Sequence, residues 1–290
     1  MANADPDKLR ECVAHLAGEI GPRPAVRVDR LRKVAEDLTT AFIALGYEVA
    51  QQPVPYKQTH HINVIARPRG SIDQPPGQPL LVVGAHYDSV SRSPGADDNA
   101  SGIAGLIETA RLLADTPPQG LRLAAFCPEE PPAYRTRSMG SYIYAGSLNE
   151  AGVRLKGMIC LEMIGYFTDA PGSQSYPLPF MDLWYPKQGD FIALVGNTRS
   201  TKWTRQVANA FQRGTDLPVE TLNAPALMVG IDFSDHWSFN KFGYPAVMIT
   251  DTAFYRNPHY HRRSDIPETL DYRRSAKVVD GLAAAIRNLG

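Results

Sequence analysis

The stretch LLVVGAHYDSV, residues 80–90, decides how the chain is read. Residues 80–85 are apolar or small with no polar alternation, the pattern of a strand buried on both faces of a parallel sheet. The run then ends on His86 and Asp88. Burying two polar side chains at the end of an apolar strand lowers stability unless something opposite compensates them.

Working outward, residues 29–45 carry Leu31, Val34, Leu38, Phe42 and Leu45 at helical spacing, and Gly46 stops the helix. YEVAQQPVPY (47–56) and HINVIARPRG (61–70) read as strands, and SIDQPPGQP (71–79) as a turn-rich connection. Downstream, a helix is predicted over residues 100–114, with Ile103, Leu106, Ile107, Ala110 and Leu113 on one face. Further strands are predicted in LRLAAFC (121–127), LKGMICLEMIG (155–165), FIALVGN (191–197) and YPAVMIT (244–250). Further helices are predicted at 139–150, 201–213, 234–242 and 271–289. Apolar strands alternating with helices predict an α/β fold, a single domain over residues 1–290. Its expected form is three-layer αβα with a mixed, mostly parallel central sheet. The proline- and glycine-bearing segment 166–190 is expected to be a lid or a pocket wall, because long ordered loops usually serve function.

Composition excludes several classes. Thirty basic and thirty acidic residues cancel, and no segment concentrates Lys and Arg, so neither nucleic acid nor an anionic membrane surface is an expected partner. The N-terminus lacks the apolar core of a signal peptide, and no run approaches the roughly 20 apolar residues of a membrane span. Cys12, Cys127 and Cys160 are too few for a disulfide framework and read as reduced core residues, so a cytoplasmic location is expected.

Polar residues gather at the carboxyl ends of the predicted strands, where open α/β sheets bind ligands. His86 and Asp88 end one strand, Glu129 and Glu130 another, and Glu162 lies near the end of a third. Asp97 and Asp98 precede a helix, and His259 and His261 follow the last strand. Singly, each has an ordinary reading: a satisfied His–Asp pair, a solvated Glu–Glu turn, a helix cap, loop histidines. Glu162 departs most from that, since a lone acid amid MICLEMIG is expensive to bury unpaired. Together they form an imidazole and carboxylate donor set suited to zinc, cobalt or manganese. His86 and Asp88 project from one strand face, so both can reach one ion or Asp88 can orient His86. Adjacent Glu129 and Glu130 would point opposite ways, leaving one for metal and one as a general base. Asp98, just before a helix, can be held by backbone N–H groups while bridging two cations.

In order, H-x-D, GADDNASG (95–102), E-E, an acid within an apolar strand, S-D-H (234–236) and H-x-x-x-D (261–265) resemble the co-catalytic di-zinc aminopeptidases. That metallopeptidase family also contains the glutaminyl cyclases. GEIGPRP (18–24) and FGYPAVMIT (242–250) share the likeness, which runs from about residue 18 to 270. The resemblance implies a zinc exopeptidase-like fold and two zinc ions per chain. His86, Asp98 and Glu162 would hold the first, and Asp98, Glu130 and His261 the second, with Asp98 bridging. Glu129 would be the general base, Asp88 the orienting partner of His86, and Asp265 the partner of His261. A substrate amine near one zinc and Glu162 would enforce exopeptidase action.

Three positions depart from the family pattern. Glu162 replaces the usual aspartate, lengthening that ligand by a methylene. PPAYRTRSMGS (131–141) delays the usual Gly-Ser after E-E, and Arg135 or Arg137 on that loop is a candidate contact for a substrate carboxylate. Ile231 stands where some members carry an oxyanion-stabilising tyrosine. The implied function is hydrolysis of N-terminal residues from short peptides or amino-acid amides. The competing readings are a glutaminyl cyclase-like zinc acyltransferase and a non-catalytic binding protein on a peptidase fold.

Overall fold

In the computed structural model, which describes residues 3–71 and 78–290, the apolar runs become one continuous eight-stranded sheet. Most of the predicted turn-rich stretch 71–79 lies outside the described residues. The strands are β1 (Tyr47–Tyr56), β2 (Thr59–Pro68), β3 (Leu80–His86), β4 (Leu121–Phe126), β5 (Leu155–Leu161), β6 (Ile192–Asn197), β7 (Val219–Ala224) and β8 (Ala246–Thr250). Their spatial order is β1-β2-β4-β3-β5-β8-β6-β7. The pairs β3·β4, β3·β5, β5·β8 and β6·β7 run parallel, while β1·β2, β2·β4 and β6·β8 run antiparallel. The sheet is therefore mixed, with its parallel centre at β4-β3-β5-β8.

Seven helices complete the described fold: α1 (Pro6–Val13), α2 (Val28–Ala44), α3 (Gly102–Leu113), α4 (Gly140–Glu150), α5 (Thr201–Phe211), α6 (His236–Lys241) and α7 (Tyr272–Leu289). The period-2 alternation of the strands splits the core into two layers. On β5, Ile159 and Leu161 pack with α1, α2, α3, α5 and α7, whereas Met158 and Cys160 pack with α4 and α6. This is the expected three-layer αβα arrangement. Cys127 and Cys160 are buried free thiols, as their apolar surroundings in sequence implied. Among the described residues no helix is long and apolar enough to cross a membrane.

The GEIGPRP stretch has a mechanical role. Arg23 is fully buried, and its guanidinium donates to the carbonyls of Tyr87 (3.0 Å), Leu16 (2.8 Å), Gly21 (3.0 Å), Pro94 (2.7 Å) and Gly95 (3.1 Å). It thereby ties the N-terminal segment to the loops after β3. Lysine cannot reproduce this fan of planar donors. Arg23→Lys and Arg23→Ala are each expected to lower stability by about 2–4 kcal/mol, since several buried carbonyls lose their partner. Urea unfolding checks this, and a change within experimental error for Arg23→Ala would contradict the clamp.

Candidate metal centre

The register of the parallel centre brings the ends of β3, β4 and β5 side by side, with His86 alongside Phe126. His86 is the last residue of β3 and is 1% exposed. Its Nδ1 faces the carbonyl oxygen of Asp88 at 3.2 Å and the Asp88 carboxylate at 3.5 Å, which fixes the ring. Its Nε2 then points at Glu162 Oε2 (3.2 Å) and Asp98 Oδ1 (3.5 Å). Asp98 turns its other oxygen the opposite way: Oδ2 lies 3.1 Å from His261 Nε2, which in turn is 3.4 Å from Glu130 Oε2. Two donor sets result, His86–Asp98–Glu162 and Asp98–Glu130–His261, each with ligand atoms within 4.8 Å of one another. They share Asp98.

Backbone groups hold these side chains in place. The Asp265 carboxylate accepts the N–H groups of Asp97 (2.8 Å) and Asp98 (3.2 Å). It does so instead of meeting His261, to which no hydrogen bond or ion pair joins it among the described residues. Asn99 donates to the Leu161 carbonyl (2.8 Å) and accepts from Met163 N–H (3.1 Å), pinning the Asp98 loop to the end of β5. Gly95 has φ +65°, and a Cβ there would collide with the Asp98 carbonyl, so this turn requires glycine. The Asp88 carboxylate accepts from Glu129 N–H (3.0 Å) and Glu130 N–H (3.1 Å). Asp88 thus orients both the histidine and the E-E pair. His261 sits at φ +58°, a conformation histidine adopts more readily than most residues, and Tyr260 stacks on its ring at 3.8 Å.

The two adjacent glutamates take different positions relative to the donor sets. Glu130 joins a donor set; Glu129, 4% exposed, stands outside both. Burial raises Glu129 well above the usual carboxylate value, His86 opposes this, and Glu130, Asp235 and Glu162 add to it. Burial and the neighbouring Asp98 push Glu130 up to about 8. Burial also raises Glu162, although His86 opposes it. For His86, burial works downward but is outweighed by Glu162 and Asp88, which raise it well above the histidine norm. Burial likewise works against His261, but hydrogen bonds to Asp98 and Glu130 carry it up to about 10. The cluster has an excess of carboxylate held in low dielectric, and Glu130 Oε1 is buried with no partner. Divalent cations answer both needs, and the imidazole–carboxylate donor set fits zinc.

The alternatives in the sequence fall away from the centre. His259 bonds Ser264 (3.0 Å), and His236 Nε2 meets the Ile231 carbonyl (2.6 Å). The serine of S-D-H does take part: Ser234 donates to Glu162 Oε2 at 2.6 Å. Arg135 lies over the rings of Phe233 and Trp237, each at 5.9 Å, while Arg137 is exposed. Tyr134, from the same loop, buries a hydroxyl without a partner, and Glu129 and Glu162 both act on it electrostatically. No sequence pattern marks that tyrosine. Segment 166–190 is a pocket wall: Gln174, Tyr176 and Tyr185 line an apolar cavity that opens onto Glu162 and Tyr260, with Ile231 in its lining.

The sequence model of peptidase family M28 matches residues 63–286. The chain belongs to peptidase family M28. This is the co-catalytic metallopeptidase family to which the H-x-D, GADDNASG and E-E stretches pointed. Within reach of the M28 chain in sequence is the uncharacterized protein YfbL of Escherichia coli (strain K12), 44% identical over 99% of this chain and 89% of YfbL. Leucine aminopeptidase 1 of Trichophyton equinum is 27% identical over 71% of this chain, which spans 54% of that protein. Solved folds agree. The aminopeptidase LapA of Legionella pneumophila superposes with a TM-score of 0.77 at 20% identity, over 98% of this chain and 72% of LapA. BSAP, a zinc aminopeptidase from Bacillus subtilis, gives 0.74 at 16% over 98% and 95%. The glutaminyl cyclase of Fimbriiglobus ruber gives 0.70 at 20% over 98% and 95%.

Proposed function

We propose that this M28 chain is an aminopeptidase-type exopeptidase acting on short peptides or amino-acid amides with two divalent ions, zinc in the first instance. The observation that carries the reading is Asp98: its two carboxylate oxygens face separate donor sets, while Glu129 stands beside them committed to neither. His86, Asp98 and Glu162 would hold one ion, and Asp98, Glu130 and His261 the other. When bound, such a pair polarises the scissile carbonyl and lowers the pKa of the attacking water. Glu129 takes a proton from that water at its carboxylate and returns it to the leaving amine nitrogen. Glu129, buried beside both donor sets and belonging to neither, is placed to accept that proton and release it again. Asp88 keeps the Glu129 backbone, and so its carboxylate, in position. The unpartnered Tyr134 hydroxyl is the donor left free for the carbonyl oxygen as it becomes negative, in a chain with Ile231 at the family's tyrosine position. The apolar pocket beside Glu162 receives the first side chain.

Elemental analysis of purified protein, combined with a panel of aminoacyl 4-nitroanilides, tests the reading. The expected result is about two ions per chain and hydrolysis that chelation abolishes. Metal affinity should rise with pH, because the ligands that burial keeps protonated must release protons to bind a cation. One ion per chain, with ammonia released from N-terminal glutamine peptides and no nitroanilide cleavage, would instead establish the cyclase chemistry.

A further inference from the structure

The pocket that opens onto Glu162 carries a second acid, Glu220, which no group among the described residues neutralises. The sheet register places the two on one row. Leu161 pairs with Ile249, so Glu162, whose N–H donates to the Ile249 carbonyl, continues beside Thr250. Thr250 pairs with Ala193, and Ala193 with Glu220. All four residues line the same cavity. Because β6 and β7 run opposite to β5 and β8, the start of β7 lies at the same edge of the sheet as the end of β5. Three strand spacings separate the two acids along this row, roughly 14 Å between backbones.

The surroundings of Glu220 are built for a cation that the protein itself does not supply. Tyr176 and Tyr185 line the pocket with it, their rings 5.6 Å apart. Both hydroxyls are already committed, Tyr176 to the Pro186 carbonyl (2.6 Å) and Tyr185 to the Thr221 carbonyl (3.3 Å), so neither donates to the carboxylate. Lys187, on the same loop, is paired with Asp182 at 3.1 Å. The Arg256 guanidinium bonds Gln174 (2.8 Å) and the Phe191 carbonyl (2.8 Å) and lies over the Phe191 ring; one of its nitrogens is left without a partner, yet it forms no ion pair with Glu220 among the described residues. The rest of the cavity lining is largely apolar, Leu222, Val195, Phe191 and Met248 among it. A carboxylate in a mostly apolar cavity that two tyrosines also line suits an alkyl chain that ends in positive charge.

We propose that Glu220 selects substrates whose N-terminal residue is lysine or arginine, the α-amine lying at Glu162 and the side-chain cation at Glu220. The inference rests on the exopeptidase reading for the orientation of the substrate, not for the existence of the cation site. Partial burial raises Glu220 above its ordinary value, and among the described residues no cation opposes this, so an incoming ammonium or guanidinium meets an undercompensated acid.

Calorimetric titration of metal-loaded Glu129→Gln protein, in which the amides are not turned over, with L-lysinamide, L-argininamide and L-norleucinamide tests it, with the matching 4-nitroanilides run on the parental enzyme for turnover. Norleucine keeps lysine's four-carbon side chain and lacks only the terminal ammonium. The basic amides are expected to bind about tenfold tighter or more than norleucinamide. Glu220→Gln should bring that ratio within about twofold, and Glu220→Lys should favour L-glutamic acid amide over the basic amides. A ratio near one with Glu220 intact, or a ratio that survives Glu220→Gln in protein of unchanged thermal stability, overturns the proposal. Preferential binding of the basic amides without cleavage of any nitroanilide would uphold the cation site and refute the aminopeptidase reading instead.

Discussion

Glu129→Gln is expected to keep both metal ions and lose turnover by about 10²–10⁴-fold. The amide has the shape of the carboxylate but cannot accept the proton of an attacking water at physiological pH. Metal binding should survive because Glu129 belongs to neither donor set, and because its backbone N–H, not its side chain, is what Asp88 holds. The loss should fall on kcat with KM nearly unchanged, the signature of an interaction made only in the transition state. Glu129→Asp, which keeps the base but shortens its reach, should lie between the two. Elemental analysis beside steady-state kinetics decides the matter. Parental turnover in Glu129→Gln would remove the base assignment, and loss of metal along with activity would make Glu129 a ligand.

Apolar runs, not polar ones, carried the fold into the sequence. β3, β5, β6 and β8 are legible because their buried residues are nearly continuous, and the hairpin strands β1 and β2 because turn residues bound them. β7 is illegible for the opposite reason. VETLNA lies at the sheet edge with most of its side chains half-exposed, and half of them are polar. α1 had an unread signal: Asp5 caps it and Pro6 occupies its first turn, ahead of the buried Leu9 and Val13. At the site, His86 and Glu162 stand out because they break apolar strands, and Asp98 and Glu130 because they follow strand ends or open a helix; His261 is singled out from His259 only by the family resemblance. Their supports were not legible. Arg23, Asn99 and Asp265 act on backbone groups far away in sequence, and such partners leave no local pattern. Glu220 was hidden with β7, since only the register of an unread strand sets it in line with Glu162.

The adjacent aspartates of GADDNASG supply the sharpest contrast, because chain neighbours face opposite tasks. Asp97 is fully buried in the scaffold: Oδ1 accepts Gly165 N–H (2.9 Å), Oδ2 accepts Asn257 Nδ2 (2.6 Å), and burial with Asp251 nearby raises it well above the usual range. Asp98 instead presents one oxygen to each donor set. Asp98→Asn leaves a single oxygen and turns an NH₂ dipole toward the other ion, so at least one metal should be lost, and activity by about 10³-fold or more as several kcal/mol of charge stabilisation disappear. Its fold should hold, because Asp265 grips the loop through the backbone N–H groups of residues 97 and 98. Asp97→Asn should do the reverse: destabilise the protein by about 1–3 kcal/mol, as an NH₂ is forced against existing donors, while metal stoichiometry in the folded fraction stays near the parental value. Metal content and melting temperature measured on both variants separate the roles. An Asp98→Asn protein that retains two ions, or an Asp97→Asn protein that folds normally but loses them, would show that the wrong aspartate has been placed between the cations.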